Sequence, residues 1–196
     1  MQAISKEEKA KEEILLQAQK LFQQFGLKKT TMDDLASACS KAKSTLYHYF
    51  KSKHEVFDAV IDLEMTSLQA IIQSKVAEVD TISEKLTIYI ITFHAEVTKM
   101  ANLYRIIQNE LAHEAFTHKQ FRRMFSFEQA YISKLLQEGI DKNEIKEIDS
   151  DEIDWFAEML IAAFFGVVQH SIESDNGLDH EKLTKTANRL IPRFIT

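Results

Sequence analysis

The residues best equipped for chemistry lie between Leu35 and His54, a stretch holding four lysines and no acid. Lys41, Lys43, Lys51 and Lys53 offer cationic donors to phosphate, as does His48 when protonated. Ser44 and Thr45 carry hydroxyls that reach a phosphate or either kind of base edge, and Tyr47 can bond a phosphate while its ring packs on a sugar. At helical spacing Lys43, Ser44, Tyr47 and His48 fall outward from a helix over about 42–49, with Leu46 and Phe50, four apart, as its inner edge. A second short helix, over 32–39, precedes it, opened by Thr30 or Thr31 as N-cap and by Asp33 and Asp34. Thr31 there, and Lys53 at the next helix start, stand where a phosphate is readily held. Two short helices and a tight turn make a helix-turn-helix, and its partner is double-stranded DNA. Lys43 and Ser44 are the candidates for base edges and Thr45, Tyr47 and His48 for the backbone, with Lys41 and Lys51 adding attraction without sequence preference.

Other chemistries find less support. No nucleophile with a base and an orienting group, no phosphate loop and no nucleotide fingerprint is visible, so no catalytic residue and no cofactor is expected. Glu110-x-x-His113 has the spacing of one half of a di-iron ligand set, but the second half is missing and His113 and His118 are five apart, so no metal is expected. The single cysteine, Cys39, excludes an internal disulfide and sits near lysines that would lower its pKa. The aromatic-rich remainder includes Phe93, Tyr104, Phe125, Tyr131 and Trp155, with Val97 and the polar His94 and His113 among them. These are core residues by default, or the lining of a cavity for an apolar or aromatic ligand.

The elements that position these residues are helical throughout. Four glycines and one proline in 196 residues are too few for a loop-rich or all-β chain. Capping-box pairs at Ser5/Glu8, Ser52/Glu55, Thr81/Glu84, Thr117/Gln120 and Asp149/Glu152 mark helix starts, and about nine helices are expected in all. The first, over about 6–25, carries the stripe Ile14, Leu15, Ala18, Leu21, Phe22 and Phe25 and ends at Gly26 as a left-handed cap. It should form a small core with Leu35, Ala36, Leu46, Phe50, Val56 and Phe57. A long helix over 53–79 joins this module to the next. Further helices are expected over 83–100, through Leu111, over 118–138, 150–174 and 181–194. Gly166, mid-helix, suggests a close helix crossing. Charge divides the same way, +4 over residues 1–54 and −10 over 55–196, of a total of −6. The basic part faces DNA and the acidic part faces away. No run of about 18 uncharged apolar residues spans a membrane, and 1–13 lacks the apolar core of a signal peptide, so a cytoplasmic location is expected.

Ser44-Thr45-Leu46-Tyr47-His48-Tyr49-Phe50-Lys51-Ser52-Lys53, preceded by Ala18, Leu21-Phe22, Gly26, Thr30-Thr31 and Leu35-Ala36, resembles the DNA-binding domain of the TetR family of transcriptional regulators over about residues 10–60. The resemblance implies an N-terminal three-helix DNA-binding domain, 1–54, and a C-terminal helical domain for ligand binding and dimerisation, 55–196. It implies a repressor that binds a palindromic operator as a homodimer and is released by an unknown small-molecule effector. The last two helices would then pair with a second copy through Phe156, Leu160, Phe164, Val167, Leu183, Leu190 and Phe194. Where the family commonly has Gly-Val-Ser in the turn, this chain has Ser40-Lys41-Ala42. Since serine caps better than alanine, the reading helix is expected to start one or two residues early. The alternative from another class is an all-helical metal- or small-molecule-binding protein without DNA recognition.

Overall fold

The computed structural model describes residues 5–100, 103, 105, 106, 115–146, 148–173 and 179–195, the side chains of 115–121, 194 and 195 aside. Eight helices and no strand occur among them: α1 Lys6–Lys29, α2 Met32–Ala38, α3 Lys43–Tyr49, α4 Lys53–Val76, α5 Ile82–Lys99, α6 Ala115–Asp141, α7 Ile153–Glu173 and α8 His180–Ile195. The expected short helix through Leu111 falls largely outside the described residues. The capping boxes at Ser5/Glu8 and Thr81/Glu84 are both formed. Those expected at Thr117 and Asp149 do not open helices. Thr117 lies inside α6, and Asp149 accepts the Glu152 N–H through its backbone carbonyl, with α7 starting later at Ile153.

The chain divides into two compact units, Met1–Ser67 with Asn102–His113, and Leu68–Ala101 with Glu114–Thr196. α4 begins in the first and ends in the second. In the first unit Ile14, Ala18 and Phe22 of α1 are fully buried with Leu35, Leu46 and Val56. Phe22 meets Phe57 edge-to-face, ring centroids 5.1 Å apart at 84°. Two expected core residues stand differently: Leu21 is only partly buried and Phe25 is 49% exposed. For Phe25 the break at Gly26 is the reason. Its φ of 80° and ψ of 167° form a conformation open to glycine and strained for L side chains, and the chain turns there so that Leu27 takes the buried place. Thr30, itself buried, fixes the turn by donating its hydroxyl to the Gly26 carbonyl at 2.7 Å.

The second unit packs α5, α6 and α7 around Tyr89, Phe93 and Phe164, with α8 against α5. Polar ties close its far end. Lys85 bridges to Glu138 at 2.6 Å, and Glu144 accepts the Ile82 N–H at 2.7 Å. By length and composition α7 is apolar enough to cross a membrane, yet its buried side, Ile153, Ala157, Ile161, Phe164 and Val168, is ordinary helix-packing core.

Candidate functional site

α3 is a seven-residue helix whose one buried residue is Leu46, fully enclosed; Tyr49 is half-buried and the other five face outward. Lys43, Ser44, Thr45, Tyr47 and His48 are all exposed, and His48 meets Tyr49 edge-to-face at 5.3 Å. The early start expected from Ser40 does not occur. Ser40 adopts φ 51°, a left-handed conformation outside any helix, and the N-cap is Ala42, without a side-chain bond to the first turn. The turn is closed by backbone instead, the Lys41 N–H donating to the Ala36 carbonyl at 3.0 Å. The Thr45 N–H bonds the Ala42 carbonyl at 2.9 Å, which leaves the Lys43 and Ser44 N–H groups as the two uncapped donors of the first turn of α3.

The charged groups around α3 are already engaged. Lys43 pairs with Asp33 at 2.7 Å, with both side chains more than half exposed, so the pair is loosely held. Lys41 reaches Glu13 at 3.4 Å. Thr31 is an N-cap whose hydroxyl accepts from the Asp34 N–H at 3.2 Å and donates to the Asp34 carboxylate at 2.6 Å, which lowers the pKa of Asp34. Lys51 is exposed, its own N–H held by Glu55 at 2.6 Å. Lys53 differs from the rest: its ammonium donates to the carbonyls of Leu27, Lys28 and Thr30 at 2.8, 3.1 and 3.1 Å. Those are the orphan acceptors at the end of α1, and a cation there also suits the helix dipole. Burial pushes the Cys39 thiol up, outweighing the attraction of Lys41, so the expected lowering is not found.

In the second unit Phe93 is buried at the centre of the aromatic core, 5.2 Å from the Phe164 ring and 5.6 Å from Phe165, which stacks on Phe125 at 6.0 Å. His94 is buried, with Nε2 3.0 Å from Ser171 Oγ and Nδ1 3.4 Å from His180 Nδ1. Burial, then the neighbouring His180, lowers its pKa. Val97 is buried as well, and Tyr104 and His113 lie outside the described residues. No group of three metal-ligating side chains occurs among the described residues.

Tyr131, half-buried, lines a solvent-open crevice between α4, α5 and α6. Its walls include Gln69, Ile72, Tyr89, Phe127 and Glu128. Glu128 is 1% exposed, and its Oε2 accepts the Tyr89 hydroxyl at 2.6 Å.

The family signature described as "Bacterial regulatory proteins, tetR family" matches residues 14–60. The uncharacterized HTH-type transcriptional regulator YhgD of Bacillus subtilis is 30% identical over 158 residues, 70% of this chain and 73% of that protein. The chain belongs to the TetR family of bacterial regulatory proteins. A second relative, the "probable acrEF/envCD operon repressor" of Escherichia coli K12, is 24% identical over 95% of this chain and 86% of its own. Among solved structures, the transcriptional regulator FadR of Bacillus subtilis, in complex with stearoyl-CoA, superposes with a TM-score of 0.76 at 21% identity, covering 94% of this chain and 99% of that one. It shares the fold.

The side chains expected at a TetR-type dimer seam divide among three situations. Phe164 is buried within the protomer, and Phe156, Leu160, Val167, Leu183 and Leu190 are partly covered. The Phe194 side chain lies outside the described residues. The open face of α7 carries instead Trp155, Met159, Ala162, Ala163 and Gly166, and a Cβ added at Gly166 meets nothing within 4 Å. The close crossing expected there does not occur inside the protomer. Sequence reasoning missed Glu128 as well, although the signal was present. It occupies a core position of the stripe Phe121, Phe125, Ile132 and Leu135, where periodicity calls for an apolar side chain.

Burial raises the pKa of Glu128, and the bonds from Tyr89 and Gln69 only partly offset this. The groups facing it, Tyr89 and Tyr131, have their own pKa values raised and stay neutral, and Gln69 carries no charge. The fold therefore favours the protonated acid. The stability this gives is complete below the ordinary carboxylate range and is lost as pH rises through the raised value. Thermal melts should show Glu128→Gln and the parent chain converging near about pH 4, with the variant increasingly the more stable toward about pH 8. A difference independent of pH would mean the carboxyl titrates normally.

Proposed function

We propose that this TetR-family regulator is an operator-binding repressor that works in the cytoplasm as a homodimer and is released by a small molecule taken into its second unit. Residues 1–54 recognise DNA, and residues 55–196 hold the effector and the partner copy. One observation carries the DNA half: five polar or basic side chains, Lys43, Ser44, Thr45, Tyr47 and His48, stand exposed together on α3 around the single buried Leu46. Lys43 and Ser44, in the first turn, read base edges, Lys43 exchanging Asp33 for a base. Thr45, Tyr47 and His48 hold the backbone, and the uncapped donors at the start of α3 suit a phosphate. Thr31 anchors the start of α2, Lys41 and Lys51 add charge, and Lys53 acts chiefly by keeping the end of α1 against the start of α4.

Two such reading helices, about 34 to 36 Å apart or somewhat more on bent DNA, match a palindrome. Effector binding favours a state in which α4 moves and that spacing is lost. Driving such an equilibrium from 1:99 to 99:1 takes about 5.5 kcal/mol of differential affinity. The test is selection of fragments bound from the source genome, followed by titration against the recovered palindrome. Ser44→Ala and Lys43→Ala should relax preference at particular base positions by about 1–3 kcal/mol, whereas Lys51→Ala should weaken all sequences alike and reduce the salt slope by about one. A chain that recovers no palindrome, or binds none in a salt-dependent way, would remove this reading.

A further inference from the structure

The cleft of the second unit contains an unanswered acceptor. Glu128 is 1% exposed and Tyr89 donates to its Oε2, yet Oε1 has no hydrogen-bond partner among the described residues. Buried polar atoms are ordinarily paired, and one left unpaired in a cleft calls for an explanation. Protonation does not supply it, because a neutral acid still leaves one oxygen without a partner. Tyr89 cannot change the balance either. Its hydroxyl titrates far above the usual range, first through burial and then through the adjacent carboxylate, so it remains a donor to Oε2.

What surrounds this oxygen defines its complement. Among the described residues no cationic side chain lines the cleft. The Tyr131 ring stacks on Tyr89 with centroids 5.9 Å apart at 28°, and Phe127, 42% exposed, stands among the lining residues. Aromatic faces beside a buried carboxylate attract positive charge and repel an anion. The crevice runs into open solvent and encloses no cavity of its own, so an occupant lies against it by one edge and its apolar body stays at the surface beside Phe127. We propose that this cleft binds a small organic cation bearing N–H donors, an amine, amidine or guanidine on an apolar body, with an N–H donated to Glu128 Oε1 and the apolar body against Tyr131 and Phe127. This rests on the reading that the second unit receives the effector, and it narrows that effector's class. It also separates the chain from its fold neighbour crystallised with stearoyl-CoA, a polyanion.

The experiment uses the full chain and two probes of matched shape, benzamidine and benzoate, measured by calorimetry at about pH 8, where more of Glu128 is ionised. Benzamidine should bind and benzoate should not. Glu128→Gln should weaken benzamidine at least tenfold, and Phe127→Ala, an exposed ring whose removal leaves the core intact, should weaken it severalfold. Equal binding of benzamidine and benzoate, or benzamidine affinity unchanged in Glu128→Gln, overturns the proposal. So does failure of benzamidine to bind the parent chain. If an acyl-CoA then still releases the chain from its selected palindrome, the repressor reading stands and the cation site alone has failed. Release from the palindrome by no small molecule would count against both.

Discussion

A chain carrying Trp155→Glu and Met159→Lys is expected to run as a folded monomer at concentrations where the parent is a dimer, and to lose about 10²- to 10⁴-fold in operator affinity. Trp155 is 64% and Met159 46% exposed on α7, in line with Ala162, Ala163 and Gly166. A tryptophan left in water forgoes most of the 150–250 Å² that a large aromatic buries, and an apolar strip along one helix face marks an association surface. The opposite face of the same helix, from Ile153 to Ile172, is already satisfied within the protomer. The two charges therefore fall where the fold has nothing to lose. Affinity drops because each half-site must then be bound separately, without the second reading helix held nearby. Sedimentation and DNA titration of the same preparation decide the matter. A double variant that stays dimeric, or a monomer that binds the palindrome as tightly as the parent, would sink the assignment of this face.

Phe22→Ala should cost about 3–5 kcal/mol in the first unit, a large share of the about 5–15 kcal/mol that holds a typical domain together. Phe22 is fully buried, and its ring packs edge-to-face on Phe57, so its removal leaves both a cavity and an unmatched aromatic partner. The same core seats Leu46, the only anchor of α3, so DNA binding should vanish with it. The chain offers its own control. Trp155 is its one tryptophan and lies in the second unit, so its fluorescence transition in urea should stay near the parent's while far-UV circular dichroism shows an earlier loss of helix. Coincident early transitions by both probes would show that the units unfold together.

The helix-turn-helix was legible because each of its parts is encoded locally. Thr31 and Asp34 cap α2, Leu46 is the only apolar residue inside α3, and the lysines lie where nothing neutralises them within the same stretch. What was not legible depends on distant partners. Nothing near Lys53 announces that its ammonium meets carbonyls 23 to 26 positions earlier, because backbone acceptors have no sequence signature. The start of α3 was misplaced because propensity favours serine as a cap, while the chain puts Ser40 in a left-handed turn and closes that turn through the Lys41 N–H. In α7 the apolar residues cover so much of the circumference that period alone could not tell the core side from the open side. Only the packing of α5 and α6 against it separates Phe164 from Trp155.

The three bonds from Lys53 carry a further implication for how a signal can travel. An ammonium gripping the Leu27, Lys28 and Thr30 carbonyls welds the root of α4 to the tail of α1. That junction cannot serve as a pivot without giving up three charge-assisted bonds at once. A rotation of α4 must therefore carry α1, and with it the whole trihelical head, as one rigid piece. Flexure, if the rod has any, belongs farther along it, beyond the welded joint.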